Sequence, residues 1–91
     1  FVRAARYVIR PGEETALERD DRRAALLRFF AGRGSVLMAD GTEAGRSMPG
    51  IQFDSADLIL IPPGIQYAVR NESDVYVEYS EHRIAPDVAF I

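Results

Sequence analysis

The sequence predicts an all-β fold, a small barrel of short strands, and three observations predict it. Turn signals recur at short intervals: Pro11-Gly12, Gly32 with Gly34, Asp40-Gly41, Pro49-Gly50, Pro62-Pro63-Gly64 and Asn71-Glu72-Ser73-Asp74. The pieces between them are rich in Val, Ile, Leu and Tyr, residues that suit a pleated and half-buried surface. Short β-rich pieces between regular turns are the pattern of a sandwich or barrel. The third observation is size: 91 residues make one domain, spanning 1–91, with a modest core.

The first strand is read over residues 6–10. The next stretch, 13–31 (EETALERDDRRAALLRFFA), consists of good helix formers and is followed by Gly32, so local propensity alone favours helix. Two features oppose that reading. The charged run 18–23 interrupts any apolar stripe at helical spacing and leaves Leu17 and Leu27 a poor match for one face. Ala25, Leu27, Phe29 and Ala31 alternate with Ala24, Leu26, Arg28 and Phe30, which suits a strand covered on both sides. Strand–turn–strand is the expectation here.

Residues 35–39 read as a strand, with Asp40-Gly41 a tight hairpin before Thr42. The stretch 42–55 is polar and dotted with glycine, so it reads as a long loop or a frayed strand pair. Residues 57–61, 66–70 and 74–80 complete the strands. Along the last one, Val75, Val77 and Tyr79 are expected to face inward, with Tyr76, Glu78, Ser80 and His82 facing outward. The tail 84–91 ends in Val88-Ala89-Phe90-Ile91 and needs cover, from the barrel's own flank or a second chain. Open sheet edges are also best hidden by pairing, so a homodimer is expected.

Composition narrows the function. With 47% apolar and 27% charged residues the chain is ordinary globular protein. A net charge of −3 offers no basic face for phosphate backbones, so nucleic-acid binding is not expected. No apolar run approaches the ~20 residues that span a bilayer. No charged-then-apolar leader opens the chain, and a cytoplasmic home without membrane attachment is expected. The chain begins at Phe1, and residues upstream of it are expected. Without cysteine there is no disulfide framework, iron–sulfur cluster, thiolate nucleophile or thiolate-bound zinc. All eleven basic residues are arginine, so lysine Schiff-base chemistry and lysine-bound pyridoxal phosphate are excluded. His82 is the single histidine, which excludes a multi-histidine metal site within one chain.

Residues 56–71 (ADLILIPPGIQYAVRN) carry a recognisable spacing. Pro62, Gly64 and Asn71 fall where the second conserved motif of the cupin family has its proline, second glycine and asparagine, and the segment resembles that motif. Ala56 stands at the motif's first glycine and Tyr67 at its metal-binding histidine. Upstream, Gly12 and Gly32 bracket a segment of the length of the first cupin motif. There Glu18 and Asp20 stand at two histidine positions and Ala25 at the glutamate. The resemblance covers residues 12–71. It implies a small jelly-roll barrel with Glu18, Asp20, Ala25 and Tyr67 pointing into one end, and with the usual metal ligands replaced.

The replacement changes the chemistry. The family's usual site holds its metal through imidazoles and a carboxylate, whereas two carboxylates and a neutral phenol are too few donors for a tight site. No cofactor is therefore expected, with a weak Mn or Mg site completed by water as the alternative. Glu18 and Asp20, two apart on one strand and roughly 6–7 Å between Cα atoms, would face the same way. Buried together, one would keep its proton as general acid while the other serves as base, and Tyr67 would donate to a developing oxyanion. Arg19, Arg22 and Arg23 could equally neutralise both carboxylates in surface ion pairs. Tyr67 could equally be a barrel-lining aromatic with its hydroxyl satisfied. Arg28, Phe29 and Tyr79 are candidate ligand-binding residues, Arg28 for an anionic group. His82, between Glu81 and Arg83, is expected at the surface or an interface.

The functional expectation is a protein that binds a small organic molecule in its barrel without the usual metal. Two alternatives stand beside it. One is an isomerase, epimerase or lyase working through carboxylate acid–base chemistry or a weakly held metal. The other is a dimerisation or regulatory barrel filled by its own side chains.

Overall fold

Every regular element in the computed structural model, which describes residues 2–39 and 50–84, is a strand. In chain order they are β1 (Val2–Ile9), β2 (Ala24–Ala31), β3 (Gly34–Ala39), β4 (Gly50–Phe53), β5 (Leu58–Ile61), β6 (Gln66–Asn71) and β7 (Val77–Ile84). They form two sheets, one in the order β1-β7-β2-β5 and one in the order β4-β3-β6, antiparallel throughout. The all-β expectation holds, and no helix long and apolar enough to cross a membrane occurs among the described residues. The proposed Asp40-Gly41 hairpin, and the tail beyond Ile84, lie outside the described residues.

Alternation decides which side chains enter the core. Ala25, Leu27 and Phe29 of β2 are buried while Arg28 and Phe30 are exposed. Val77, Tyr79 and Glu81 of β7 point the same way as Leu27 and Phe29. From the facing sheet come Val36, Phe53, Tyr67 and Val69, and Ile9 and Ile61 complete the layer. Phe29 is the pivot, stacked on Phe53 at 3.8 Å between ring centres and tilted against Tyr79 at 5.4 Å. The middle of the barrel is thus filled by its own side chains.

Residues 13–23 correct the strand–turn–strand expectation in part. The second arm is β2, but the first is an extended segment held to β6 by two isolated bridges, Glu14 with Arg70 and Glu18 with Tyr67. Its backbone bonds alternate with a side-chain bond. The Thr15 N–H donates to the Val69 carbonyl, while the Val69 N–H donates to the Thr15 hydroxyl, both at 2.9 Å. The hydroxyl takes the place of a ladder carbonyl, so a regular strand does not propagate. The Glu18 N–H and Tyr67 carbonyl, and the reverse pair, then close a bridge at 2.9 Å each. This bridge sets Glu18 beside Tyr67.

Two further expectations shift. Of the stretch 42–55, read as a long loop or a frayed strand pair, residues 50–53 are a regular strand paired with β3, with Gln52 donating to the Ser35 hydroxyl at 2.9 Å. Strand β7 starts at Val77, three residues later than read, and Val75 is exposed rather than inward. The cause is Asn71, whose buried amide donates to the carbonyls of Ile9 and Val75 at 3.0 and 2.7 Å. Its oxygen accepts from both the N–H and the hydroxyl of Ser73. This side chain holds residues 71–75 in a turn and delays the strand.

Among the described residues, four have positive φ: Gly12 (76°), Gly32 (82°), Gly64 (85°) and Ala56 (74°). These are the four positions at which the two motifs place glycine. Gly32 also sits against Val77 and the Tyr76 carbonyl so closely that a Cβ there would collide with backbone. Ala56 alone carries a side chain in a conformation that L-residues adopt at a cost.

Candidate functional site

At one end of the barrel the alternation of β7 brings two charged side chains inward, Glu81 and then Arg83. Glu81 is buried, and its carboxylate accepts from the Tyr67 hydroxyl and from Arg83 Nε, the latter at 3.2 Å. The Arg83 guanidinium spreads its three nitrogens over three acids. Nη2 donates to Glu18 at 2.8 Å, Nη1 lies 3.5 Å from Asp20, and Nε holds Glu81. Its carbon stands 5.8 Å from the centre of the Tyr67 ring, within range of a cation–π attraction. The Arg83 side chain is only 14% exposed, so its pairs with buried Glu81 and shielded Asp20 are less screened than ordinary surface pairs, while the pair with Glu18 is half open to solvent.

Asp20 is fixed from its own loop. Its Oδ1 accepts the N–H groups of Arg22 and Arg23 and its Oδ2 accepts Arg23 Nε, all at 2.9 Å. The bond from the Arg22 N–H, with those from Arg23 and against the opposing effect of burial, lowers its pKa from 3.8 to about 2. Such a group is a poor proton donor near neutral pH, which removes Asp20 as the general acid of a carboxylate pair. Glu18 and Asp20 meet through Arg83 rather than with each other. Burial pushes the Tyr67 hydroxyl far above its ordinary value, and the bond to Glu81 pushes it further. Tyr79 and Tyr7 are raised as well, burial leading and Glu81 second in each. For Arg83 burial works against the charge, but Tyr67, Glu81 and Glu18 outweigh it and raise the pKa.

Beside this cluster lies an open cleft of about 470 Å³ lined by Ala4, Ala5, Tyr7, Glu18, Arg19, Asp20, Arg23, Glu81 and Arg83. Glu18 is its half-exposed acid, with 47% of the side chain accessible. Tyr7 stacks on Tyr79 at 5.2 Å, so Tyr79 supports the cleft from beneath.

Of the residues singled out from sequence, Glu18, Asp20 and Tyr67 are brought together here. Phe29 and Tyr79 lie in the core. Arg28 is on the opposite, outer face of β2, with its guanidinium 5.2 Å from the Phe30 ring, and it shares no site with Glu18 or Phe29. Neighbours along a strand point to opposite faces, so Arg28 and Phe29 cannot serve one pocket. His82 is on the outer face, hydrogen-bonded to Ser80 at 3.0 Å. Ala25 is buried in the core and offers no donor. Sequence reasoning missed Tyr7, Glu81 and Arg83. The signal was present: carrying the alternation of Val77 and Tyr79 two steps further puts a carboxylate and a guanidinium inside.

The cluster does not fit a bound metal ion. No three acidic or histidine side chains among the described residues are disposed to hold one, and no buried side-chain polar atom among them lacks a partner. The centre of the acids is already taken by a guanidinium.

Comparison with solved structures places this architecture. A protein from Bacillus halodurans superposes with a TM-score of 0.82 at 24% identity, covering 97% of this chain and 65% of that one. A Cupin 2 conserved barrel domain protein from Salinispora arenicola gives 0.75 at 16% identity, over 93% of this chain and 64% of that one. A predicted oxalate decarboxylase from Thermotoga maritima gives 0.74 at 16% identity, over 90% and 64%. The chain therefore has the cupin fold, the double-stranded β-helix. It spans slightly less than two-thirds of the length of each of these structures. No family model matches the sequence, and no curated protein matches it.

Proposed function

We propose that this cupin-fold protein binds a small polar organic molecule in the cleft beside Arg83, without a metal ion. The observation that supports this most is the cleft itself. Its lining offers three acids and three arginines with Tyr7, while the barrel interior beneath is filled. The ligand would sit at the mouth of the barrel rather than in its centre. Glu18, half-exposed and tied to Arg83 by one oxygen, keeps acceptor capacity for a ligand hydroxyl or amine. Arg23, whose Nε is committed to Asp20, presents its remaining nitrogens to an oxygen-rich group. A hydroxy acid, amino acid or sugar has this mixed character.

The test is a thermal-shift screen of such compounds followed by calorimetry on each hit. Hits should lose affinity tenfold or more in Glu18→Ala and in Arg23→Ala, since each removes a charged hydrogen-bond partner. Binding that is indifferent to both substitutions would remove the cleft as the site. A second reading, an isomerase, epimerase or lyase, rests on Glu18 being the accessible carboxylate at the mouth. It requires a pH–rate profile governed by one carboxylate and abolished in Glu18→Gln.

A further inference from the structure

We infer that the Arg83 guanidinium is the resident cation of this site, and that its charge, rather than a metal's, holds the acids of the cleft together. The inference rests on the metal-free reading above and extends it by naming the resident cation.

Three observations carry it. Acids from two parts of the chain, Glu18 and Asp20 from the extended segment and Glu81 from β7, converge on one guanidinium, each on a different nitrogen. A guanidinium is planar, permanently charged and forked, so it can neutralise several carboxylates at once without being titrated away. Tyr67 adds its ring beneath the cation and donates its hydroxyl to Glu81, so the site is closed without an external partner. A dication placed among the same acids would lie within a few ångströms of the guanidinium. There like charges would repel strongly.

The second consequence is that the cluster depends on a cation. Glu81 is buried, and without Arg83 it would keep only the Tyr67 hydroxyl as a partner and be left as an uncompensated charge, whereas Asp20 would still hold Arg23. Removing one partner of such a network is far more harmful than its net worth suggests. An external cation should then restore what the guanidinium supplied, because anything that binds the folded form alone stabilises it.

The experiment compares wild type with Arg83→Ala and Arg83→Gln by thermal unfolding. Each is measured in sodium chloride and, at equal ionic strength, with millimolar MnCl2, CaCl2 or guanidinium chloride. Wild type should move by no more than about 1 °C in any of them, and both variants should melt lower. At least one of the three cations should raise the variants by about 5 °C or more. Adding Glu18→Gln to either variant should remove most of that recovery. If Arg83→Ala folds only when a cation is present, that is the same result in stronger form, and Arg83→Gln supplies the melting curves. Variants indifferent to all three cations, beside a metal-free wild type, would overturn the inference and leave the metal-free cleft standing. Stoichiometric Mn or Ca bound by wild type would overturn both.

Discussion

Replacing Ala56 by glycine should stabilise this protein. Ala56 has φ of 74° at the turn that leads into β5, where an L-residue is strained by about 1–2 kcal/mol. Its methyl group is exposed, so removing it forfeits little packing. The turn itself is well anchored. The Ala56 N–H donates to the Phe29 carbonyl at 2.9 Å, and the Asp54 N–H donates to the Asp57 carboxylate at 2.8 Å. The backbone therefore cannot relax away from positive φ without losing bonds. Against the relief of strain stands the greater freedom of glycine in the unfolded chain, about 0.4–1 kcal/mol. Taking the middle of each range, the balance is a gain of about 0.8 kcal/mol, or roughly 3–6 °C in Tm for a domain of this size. Thermal unfolding followed by circular dichroism measures it directly. Ala56→Val, β-branched at the same φ, should shift the other way. A Tm for Ala56→Gly equal to or below wild type would refute the strain argument.

Other predictions come from the charged cluster and the outer sheet. Tyr67→Phe removes the donor to buried Glu81 and should cost about 1.5–3 kcal/mol in chemical denaturation; a loss below about 0.5 kcal/mol would mean the bond contributes nothing net. Asp20 has a folded pKa of about 2, below its ordinary 3.8. Its contribution is therefore complete above about pH 4 and fades as the pH falls toward 2. In Asp20→Asn the stability curve should be flatter across that window, and an identical curve would exclude the group. We also propose self-association through the outer face of the β1-β7-β2-β5 sheet, where Val8, Leu58 and Leu60 are exposed. Light scattering at micromolar concentration should give a dimer that Leu58→Glu with Leu60→Glu dissociates; a monomeric wild type would contradict this.

Much of the fold was legible because alternation is a strong signal. Ala25, Leu27 and Phe29 on β2 declared a strand against the helix propensity of their neighbours, and the core confirms their direction. The spacing of Pro62, Gly64 and Asn71 pointed to a jelly roll, and each of the four positions where the motifs place glycine has positive φ. What was not legible has physical causes. The segment carrying Glu18 and Asp20 is extended but bonded through a threonine hydroxyl and isolated bridges, which leave no period in the sequence. The start of β7 depends on the Asn71 amide reaching carbonyls up to 62 residues away, a tertiary effect. The candidate site was half visible. Glu18, Asp20 and Tyr67 were found by their motif positions, but the residue that joins them, Arg83, lies beyond the motifs and looks like a surface charge beside His82.

The most direct test of a metal-free cleft is the metal content of purified, untagged protein by inductively coupled plasma mass spectrometry. It should be measured as isolated and after equilibration with Mn, Fe, Ni and Zn followed by desalting. Well under one-tenth of an equivalent of any metal is expected in every condition, because Arg83 already neutralises the acids of the cleft. One equivalent of a single metal, lost in Glu18→Ala, would contradict it.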